Sequence, residues 1–538
     1  MSKIFTTGRY VLVSLFVSSS VSFSQTKTLA QVYEPVIANA ETLTPLFMTS
    51  IASYTAYAYD ADLDSFTPIP FQIDEVTPDG RFLVETDGVA DSSDQVAFMP
   101  ESAGDRAPKD KWIAGTPSNK RIELAVTNNA GQTGWIYLFS NVSPVPTVNA
   151  LVSYDRGTVT AFADTVFGKS YTAVHDPVTG WYTDMRVAAP FGNANDLIDR
   201  RKIRIVGSIS ILPITLTEDV VTFESIRQIA GPVRVLRELT GKLTFGNDTF
   251  TLPIVTQYFP YSNVFRLENV PVPDVSGFTI REIRQTLDFN ENAVGMSFYN
   301  PQNAGGLLIN GTDDTKSDAI DTGLNWYMVT GDQGTVLVLM GVPSLGDQKK
   351  LYYKDNSGVD QNDTGDKKSY GEAGWSVQSA TTITGTLGFD LTTYFLSKVE
   401  AAQTSATGEQ FKSNALTPYQ VAAEEQERTS TAVTDNRNQP ANFVLDDAQP
   451  NPFWQLRGSV RLSFSLPQSI TSPSLRIYNL IGQEVARFDF KGVQAAGSKH
   501  QVQWDGRAAN GQMLPAGIYF YQLQAGTQVA TKKLIIIR

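Results

Sequence analysis

The chain contains no cysteine. Disulfide staples, thiolate nucleophiles, iron–sulfur clusters and Cys-ligated zinc are therefore excluded. Histidine is nearly absent too, with only His175 and His500. A multi-histidine metal site cannot be built, and a Ser-His-Asp triad ahead of the last segment would have to use His175. Positive charge is in deficit: 43 Lys and Arg stand against 55 Asp and Glu, a net charge of −12. That balance argues against nucleic acid or an anionic membrane as partner. The acidic residues are scattered, as on an ordinary solvated surface. Gly-rich phosphate loops, dinucleotide fingerprints and GxSxG elbows are missing.

A 41% hydrophobic and 11% aromatic composition over 538 residues indicates a globular chain of two to four domains. Residues 1–24 read as a secretory signal peptide. Lys3 and Arg9 precede the apolar run Val11–Phe23, and Ser22 and Ser24 supply small residues for cleavage. No other run approaches the ~18 apolar residues of a membrane-spanning helix.

Residues 25–400 read as a β-rich passenger. Ile122–Val126 and Trp135–Phe139 are strand-like, with Asn128-Asn-Ala-Gly131 as a turn between them. Thr158–Phe162, Ile203–Val206, Val233–Leu236 and Thr335–Met340 alternate at period 2. The fold class is all-β: one large sandwich, or two β-modules with a seam near 142–150. The best helical candidate is a short one near Gly388–Ala402. Residues 401–442 are rich in Thr, Ser, Ala, Gln and Glu and read as a flexible linker, with a brief helix around Pro418–Arg428.

From 443 to 538 short alternating strands return. Val460, Leu462, Phe464 and Leu466 share one face, and Leu475 and Ile477 the next strand. Val502 and Trp504 precede the Asp505-Gly506 turn. This pattern describes a small Ig-like sandwich. Several motifs run through it in order: Gln449-Pro-Asn451-Pro452-Phe453, Leu475–Gly482, Val502-Gln-Trp504-Asp505-Gly506, Pro515-Ala-Gly517-Ile-Tyr519-Phe-Tyr521 and Lys532-Lys533-Leu-Ile-Ile536. With these motifs the stretch resembles the C-terminal sorting domain of the type IX secretion system, whose Ig-like fold is that of flagellar hook-capping proteins. The resemblance implies export into the periplasm, recognition by outer-membrane secretion machinery, and a final place on the cell surface or in the medium.

The passenger is similar to secreted β-rich domains found ahead of such tags, through Ile69-Pro-Phe-Gln72-Ile-Asp74-Glu75, Gly231-Pro-Val-Arg234-Val-Leu-Arg237 and Asp363-Thr-Gly-Asp366. The first two pieces also resemble galactose-mutarotase-like sandwiches. No catalytic residues come with either likeness. A polysaccharide lyase needs a base and a cation beside the uronate. His175, or Tyr258 with Tyr261, could be the base, and Arg186, Arg234 or Arg237 the clamp; on β-strands such residues ordinarily pack or pair. Gln72, Asp74 and Glu75 end a strand and could orient a polar ligand, although such residues more often cap a turn and pair with a nearby arginine. Asp360, Asn362, Thr364 and Asp366 alternate around Gly365 as in a calcium loop, which makes structural calcium the one cofactor to consider. A loop bonded to its own backbone gives the same pattern. Trp112, Trp181, Tyr182, Trp326, Tyr327 and Trp375 could stack on sugars or fill the core. The expectation is an exported cell-surface or secreted protein whose passenger has an activity the sequence does not assign, glycan binding being one candidate. The alternative is a carbohydrate-active enzyme, a polysaccharide lyase.

Overall fold

In the computed structural model, residues 25–428 and 443–537 are described, apart from 41–42, 47–48, 79, 84–85, 115, 117, 157–163, 177–178, 246–247, 273–276, 322, 456–457, 467–469, 480–481, 495–498, 509 and 527. The expected signal peptide and the strand at Thr158–Phe162 lie outside them. The chain falls into two compact units that divide between Thr429 and Ser430.

The first unit is built on antiparallel sheets. A three-stranded sheet (Val36–Asn39, Gln95–Phe98, Gln72–Asp74) packs with a five-stranded one, whose order is Gln420–Glu427, Lys120–Thr127, Thr133–Ser140, Tyr54–Asp60, Ser65–Pro68. Alternation explains the hairpin at 120–140: Ile122, Leu124 and Val126 pair across to Leu138, Ile136 and Gly134 and all four apolar side chains beyond Val126 and Gly134 are buried. Gly131, at φ +74°, closes the turn.

The larger part of this unit layers a nine-stranded sheet against a five-stranded sheet (Leu212–Thr217, Ile198–Ile209, Phe278–Phe289, Ser369–Gln378, Gln348–Asn356). A four-stranded sheet (Tyr182–Val187, Tyr171–His175, Asp164–Phe167, Ser153–Asp155) joins the same core. Ile283, Leu287, Trp375, Val338 and Phe389 sit in that core.

Two expected helices are strands. Thr386–Leu396 puts Leu387, Phe389 and Leu391 inside at period 2 and pairs with Ser262–Pro271 and Gly334–Gly341. Gln420–Glu427 completes the N-terminal five-stranded sheet beside Lys120–Thr127. The reading of 401–442 as a linker is corrected over its first part: Thr404–Leu416 is a helix, buried through Thr404, Gly408 and Phe411. Phe411 packs on Tyr394 with ring centroids 4.6 Å apart, which a solvated linker would not do. Residues 429–442 lie outside the described residues. Because the chain returns at 420–427 to the sheet it left, the parts on either side of 142–150 are not successive modules.

The second unit is a sandwich of a three-stranded sheet (Val444–Leu445, Val460–Ser465, Lys499–Trp504) and a five-stranded sheet (Phe453–Trp454, Gln528–Ile537, Gly517–Ala525, Ser474–Asn479, Glu484–Asp489). Val460, Leu462, Phe464, Leu475, Ile477, Tyr521, Leu523 and Leu534 form its core. Among the described residues of the chain, no helix is long and apolar enough to cross a membrane.

Candidate functional site

Two of the residues read as catalytic do meet. His175 ends its strand in the four-stranded sheet, and Tyr258 ends Asp248–Tyr258 in the nine-stranded sheet. His175 Nε2 lies 2.7 Å from Tyr258 Oη, and His175 Nδ1 lies 3.0 Å from the Asp164 carbonyl. A carbonyl can only accept, so Nδ1 carries the proton and Nε2 accepts from the Tyr258 hydroxyl. Tyr182 Oη stands 3.2 Å from Tyr258 Oη, and Arg237 pairs with Asp164. Arg201 stacks on Phe265 with its guanidinium 4.4 Å from the ring centroid.

This geometry has the parts of a proton-abstracting site but not its access. His175 is 2% exposed and Tyr258 1%. Burial, with Arg237 beside it, holds the imidazole well below its ordinary pKa, and burial pushes the Tyr258 phenol well up. Both groups are neutral and sealed, and what the cluster does is tie two sheets together through the His175–Tyr258–Tyr182 hydrogen bonds and the Arg237–Asp164 pair.

The other lyase candidates are elsewhere. Arg186 is at the surface, bonded to Asp184. Arg234 is buried and pairs with Asp74, whose Oδ1 accepts from Gln72 Nε2 at 2.7 Å; Gln72 Oε1 in turn accepts from the backbone N–H of Arg234 at 3.0 Å. The two sequence pieces around Gln72 and Arg234 are thus halves of one joint between sheets. It is so tight that a β-carbon on Gly231 would stand 2.1 Å from Gln72 Oε1. Glu75 accepts from the backbone N–H groups of Asp87 and Gly88, which makes it a turn cap. Tyr261 donates to Glu101 at 2.8 Å, apart from the His175 cluster.

The four residues of the calcium-loop reading do not converge. Asp360 Oδ1 accepts from Asn362 N, and Thr364 Oγ1 donates to Glu218 at 2.6 Å. Asp366 lies with Asp199 and Asp288, one carboxylate oxygen of each within 4.8 Å of the others. The cation at that acidic cluster is already the protein's own: Lys202 Nζ is 2.5 Å from Asp288, 2.9 Å from Asp363 and 3.7 Å from Glu372. Arg204 joins Asp363 at 2.8 Å and also pairs with Glu218. Burial alone would lower the Lys202 ammonium, but Glu372, Asp288 and Asp363 outweigh it and hold it raised. The loop is a partner for buried cations, and the residues present do not fit the expected calcium ring. Asp363, skipped as a ligand in the sequence pattern, is its central residue. No spacing rule points to Lys202 or Asp288, which come from separate strands.

Most of the aromatics considered for sugar stacking are interior. Trp326, Trp375, Tyr182 and Tyr327 are buried, and Trp181 packs edge-on against Phe223 at 5.3 Å. Trp112 is half-buried and lines a surface recess with Tyr57, Tyr59 and Phe66.

In the second unit the sequence motifs prove to be the frame of the sandwich. Asn451 donates to the Lys533 carbonyl at 3.1 Å and accepts from Ile535 N at 2.9 Å, which ties the Asn-Pro-Phe segment to the last strand. After Pro452, Phe453 is buried at 1%. Trp504 Nε1 donates to the Arg507 carbonyl at 2.8 Å, and Asp505 accepts from Arg507 N at 3.2 Å. Gly506 is at φ +79° against Gln455, and Gly482 also at φ +79°. Gly517 opens the strand in which Tyr519 donates to the Pro515 carbonyl at 2.9 Å. The Lys533 side chain is exposed.

Residues 452–528 match the family model described as the FlgD Ig-like domain. A comparison with the curated proteins finds no match. Among solved structures the chain is similar to an alpha-mannosidase from Enterococcus faecalis V583, at 9% identity and a TM-score of 0.37, over 89% of this chain and 55% of that one. It is also similar to a polysaccharide lyase, at 8% identity and a TM-score of 0.23, over 73% of this chain and 47% of that one. Dimeric latent PorU from Porphyromonas gingivalis matches at 9% identity and a TM-score of 0.16, over 83% and 42% of the two chains. The chain spans about half the length of these proteins or less. All three scores are too low to mark a shared fold, and nothing about this chain's chemistry follows from them.

Proposed function

We propose that this protein is the cargo of a type IX secretion system, with the 443–538 unit as the label that the outer-membrane machinery reads. The observation that supports it is the FlgD Ig-like match at 452–528, on a unit with a hydrophobic core of its own. The motif residues inside that core make the fold, so a receptor would have to read what projects from it. Trp454, Ile518 and Phe520 are exposed on the five-stranded sheet, with Lys533 paired opposite Phe520. The test is fractionation of cells that carry the full chain or a form lacking 443–538. The full chain is expected at the cell surface or in the medium, and the shortened form in the periplasm. A shortened form that still reaches the exterior overturns the reading.

For the passenger we infer glycan binding, at the recess formed by Tyr57, Tyr59, Phe66 and Trp112, where Asp64 and Lys111 add polar contacts beside the rings. Aromatic faces with flanking hydrogen-bonding groups suit a sugar. The lyase alternative has less support, since its base and its phenol are sealed in the core. Binding to a panel of immobilised polysaccharides, lost in Trp112→Ala, is the expected result. A blank panel, or binding that survives the substitution, removes this site.

A further inference from the structure

A second cavity, of about 220 Å³, opens in the first unit where five separated stretches meet. Its floor is the nine-stranded sheet. Ser262 pairs with Tyr394 and Val264 with Thr392 in antiparallel register, so period 2 sets all four on one face. Glu34 and Ile37 form one wall, and Asn414 to Tyr419, the turn out of the helix, form the other.

Glu34 is the unusual group. Its side chain is buried, and it accepts from Asn414 Nδ2 at 2.8 Å. The Asn414 carbonyl oxygen is already taken by Gln410 Nε2 at 2.7 Å. Among the described residues, no Lys, Arg or His lies within ion-pair distance of Glu34, whereas Asp74, Asp164, Asp288 and Glu218 each have a cation. Burial pushes the Glu34 carboxyl up and the Asn414 bond opposes it. Two more groups lining the cavity lack partners: Ser262 Oγ and Tyr419 Oη are both buried and unbonded. The Tyr394 ring, held edge-on by Phe411, and the Tyr419 ring supply aromatic surface. A buried carboxylate without a counter-charge is costly, and one fixed beside phenol and hydroxyl acceptors under aromatic walls is the standard answer to an organic cation.

We propose that this cavity binds a small organic ammonium ion with a short apolar body, its charge on Glu34 and its N–H donors on Ser262 and Tyr419. A divalent metal ion would need more carboxylates than the one present. A neutral polyol would leave the Glu34 charge uncompensated and would face Ile37 and Val264 with hydroxyls. The site is separate from the Trp112 recess and does not depend on it.

The experiment is titration calorimetry on the full chain with phenethylamine and benzylamine, against 2-phenylethanol and glucose as uncharged controls. The amines are expected to bind and the controls not. Glu34→Gln should weaken amine binding roughly tenfold or more, since a charge-assisted bond becomes a neutral one. Should that variant fail to fold, as its melting curve will show, Ala415→Trp provides the second arm. Ala415 is an exposed residue at the cavity edge, and its enlargement should block amine binding and leave the melting temperature unchanged. Equal binding of amines and uncharged controls, affinity unaltered by both substitutions, or no amine binding at millimolar concentration overturns the proposal.

Discussion

The two units of this chain hold their sheets together by different means. In the 443–538 unit the interior is apolar, from Leu462 and Phe464 to Leu523 and Leu534. In the first unit charges are set among the apolar layers: Arg237 with Asp164, Arg234 with Asp74, Lys202 with Asp288 and Asp363. An apolar layer tolerates substitution in proportion to the volume lost. A buried ion pair behaves otherwise, since removing one partner strands the other without solvent. The small unit is therefore a sandwich whose parts contribute separately, and the large one has joints whose parts act only in pairs.

The sharpest way to break that contrast is Arg237→Met. It leaves Asp164 charged in the core and should cost about 3–5 kcal/mol in denaturant unfolding. Arg237→Met with Asp164→Asn should cost less than Arg237→Met alone, and a double variant that is worse than either single one would show that the joint is not a pair. In the other unit, Leu462→Ala should cost about 3 kcal/mol by cavity formation. Calorimetry should move only the transition of the 443–538 unit; a shift of both transitions would remove the distinction.

A smaller effect belongs to Asp363. Burial raises its pKa, but Lys202, the Thr364 N–H and Arg204 hold it down to about 2. Against an unfolded value of about 3.9, its contribution is complete above pH ~4 and disappears as pH falls toward 2. Asp363→Asn should flatten that acid limb, and an unchanged limb would mean that other carboxylates carry it. The least effect is expected at the surface: Arg266 bonds Asp390 at 2.7 Å with both side chains about half exposed, and Arg266→Ala should shift stability by roughly 0.2–1 kcal/mol. A loss of several kcal/mol there would show that surface pairs behave like the buried joints.

Legibility follows the same division. Alternation of residue types was enough to identify the hairpin at 120–140 and the strands at 203–206, 335–340 and 460–465. Burial of one face underlies it only in the last, since 335–340 is buried on both faces and at 203–206 the buried residue is Arg204. Alternation was overlooked at Leu387, Phe389 and Leu391, where Thr392, Thr393 and Tyr394 directly after them blurred the contrast. The edge strand at 420–427 was illegible for another reason. Most of its side chains are polar or small, and its partner strand lies about three hundred residues earlier. The helix Thr404–Leu416 has almost no amphipathic signal; Gly408 is there because a β-carbon would collide with Trp326.

By itself, the order of residues determined the β class of the chain, the small sandwich near its end, and the chemistry denied to a protein without cysteine and with two histidines. Local alternation and composition suffice for these, since each depends on a residue and its near neighbours. Which charges meet was decided only in three dimensions. His175 and Tyr258 became a sealed joint, Asp363 a counter-ion for Lys202 and Arg204, and Glu34 a carboxylate left without one. Each outcome depends on sheets that bring residues 80 to 380 positions apart into contact, and on how far water is then excluded.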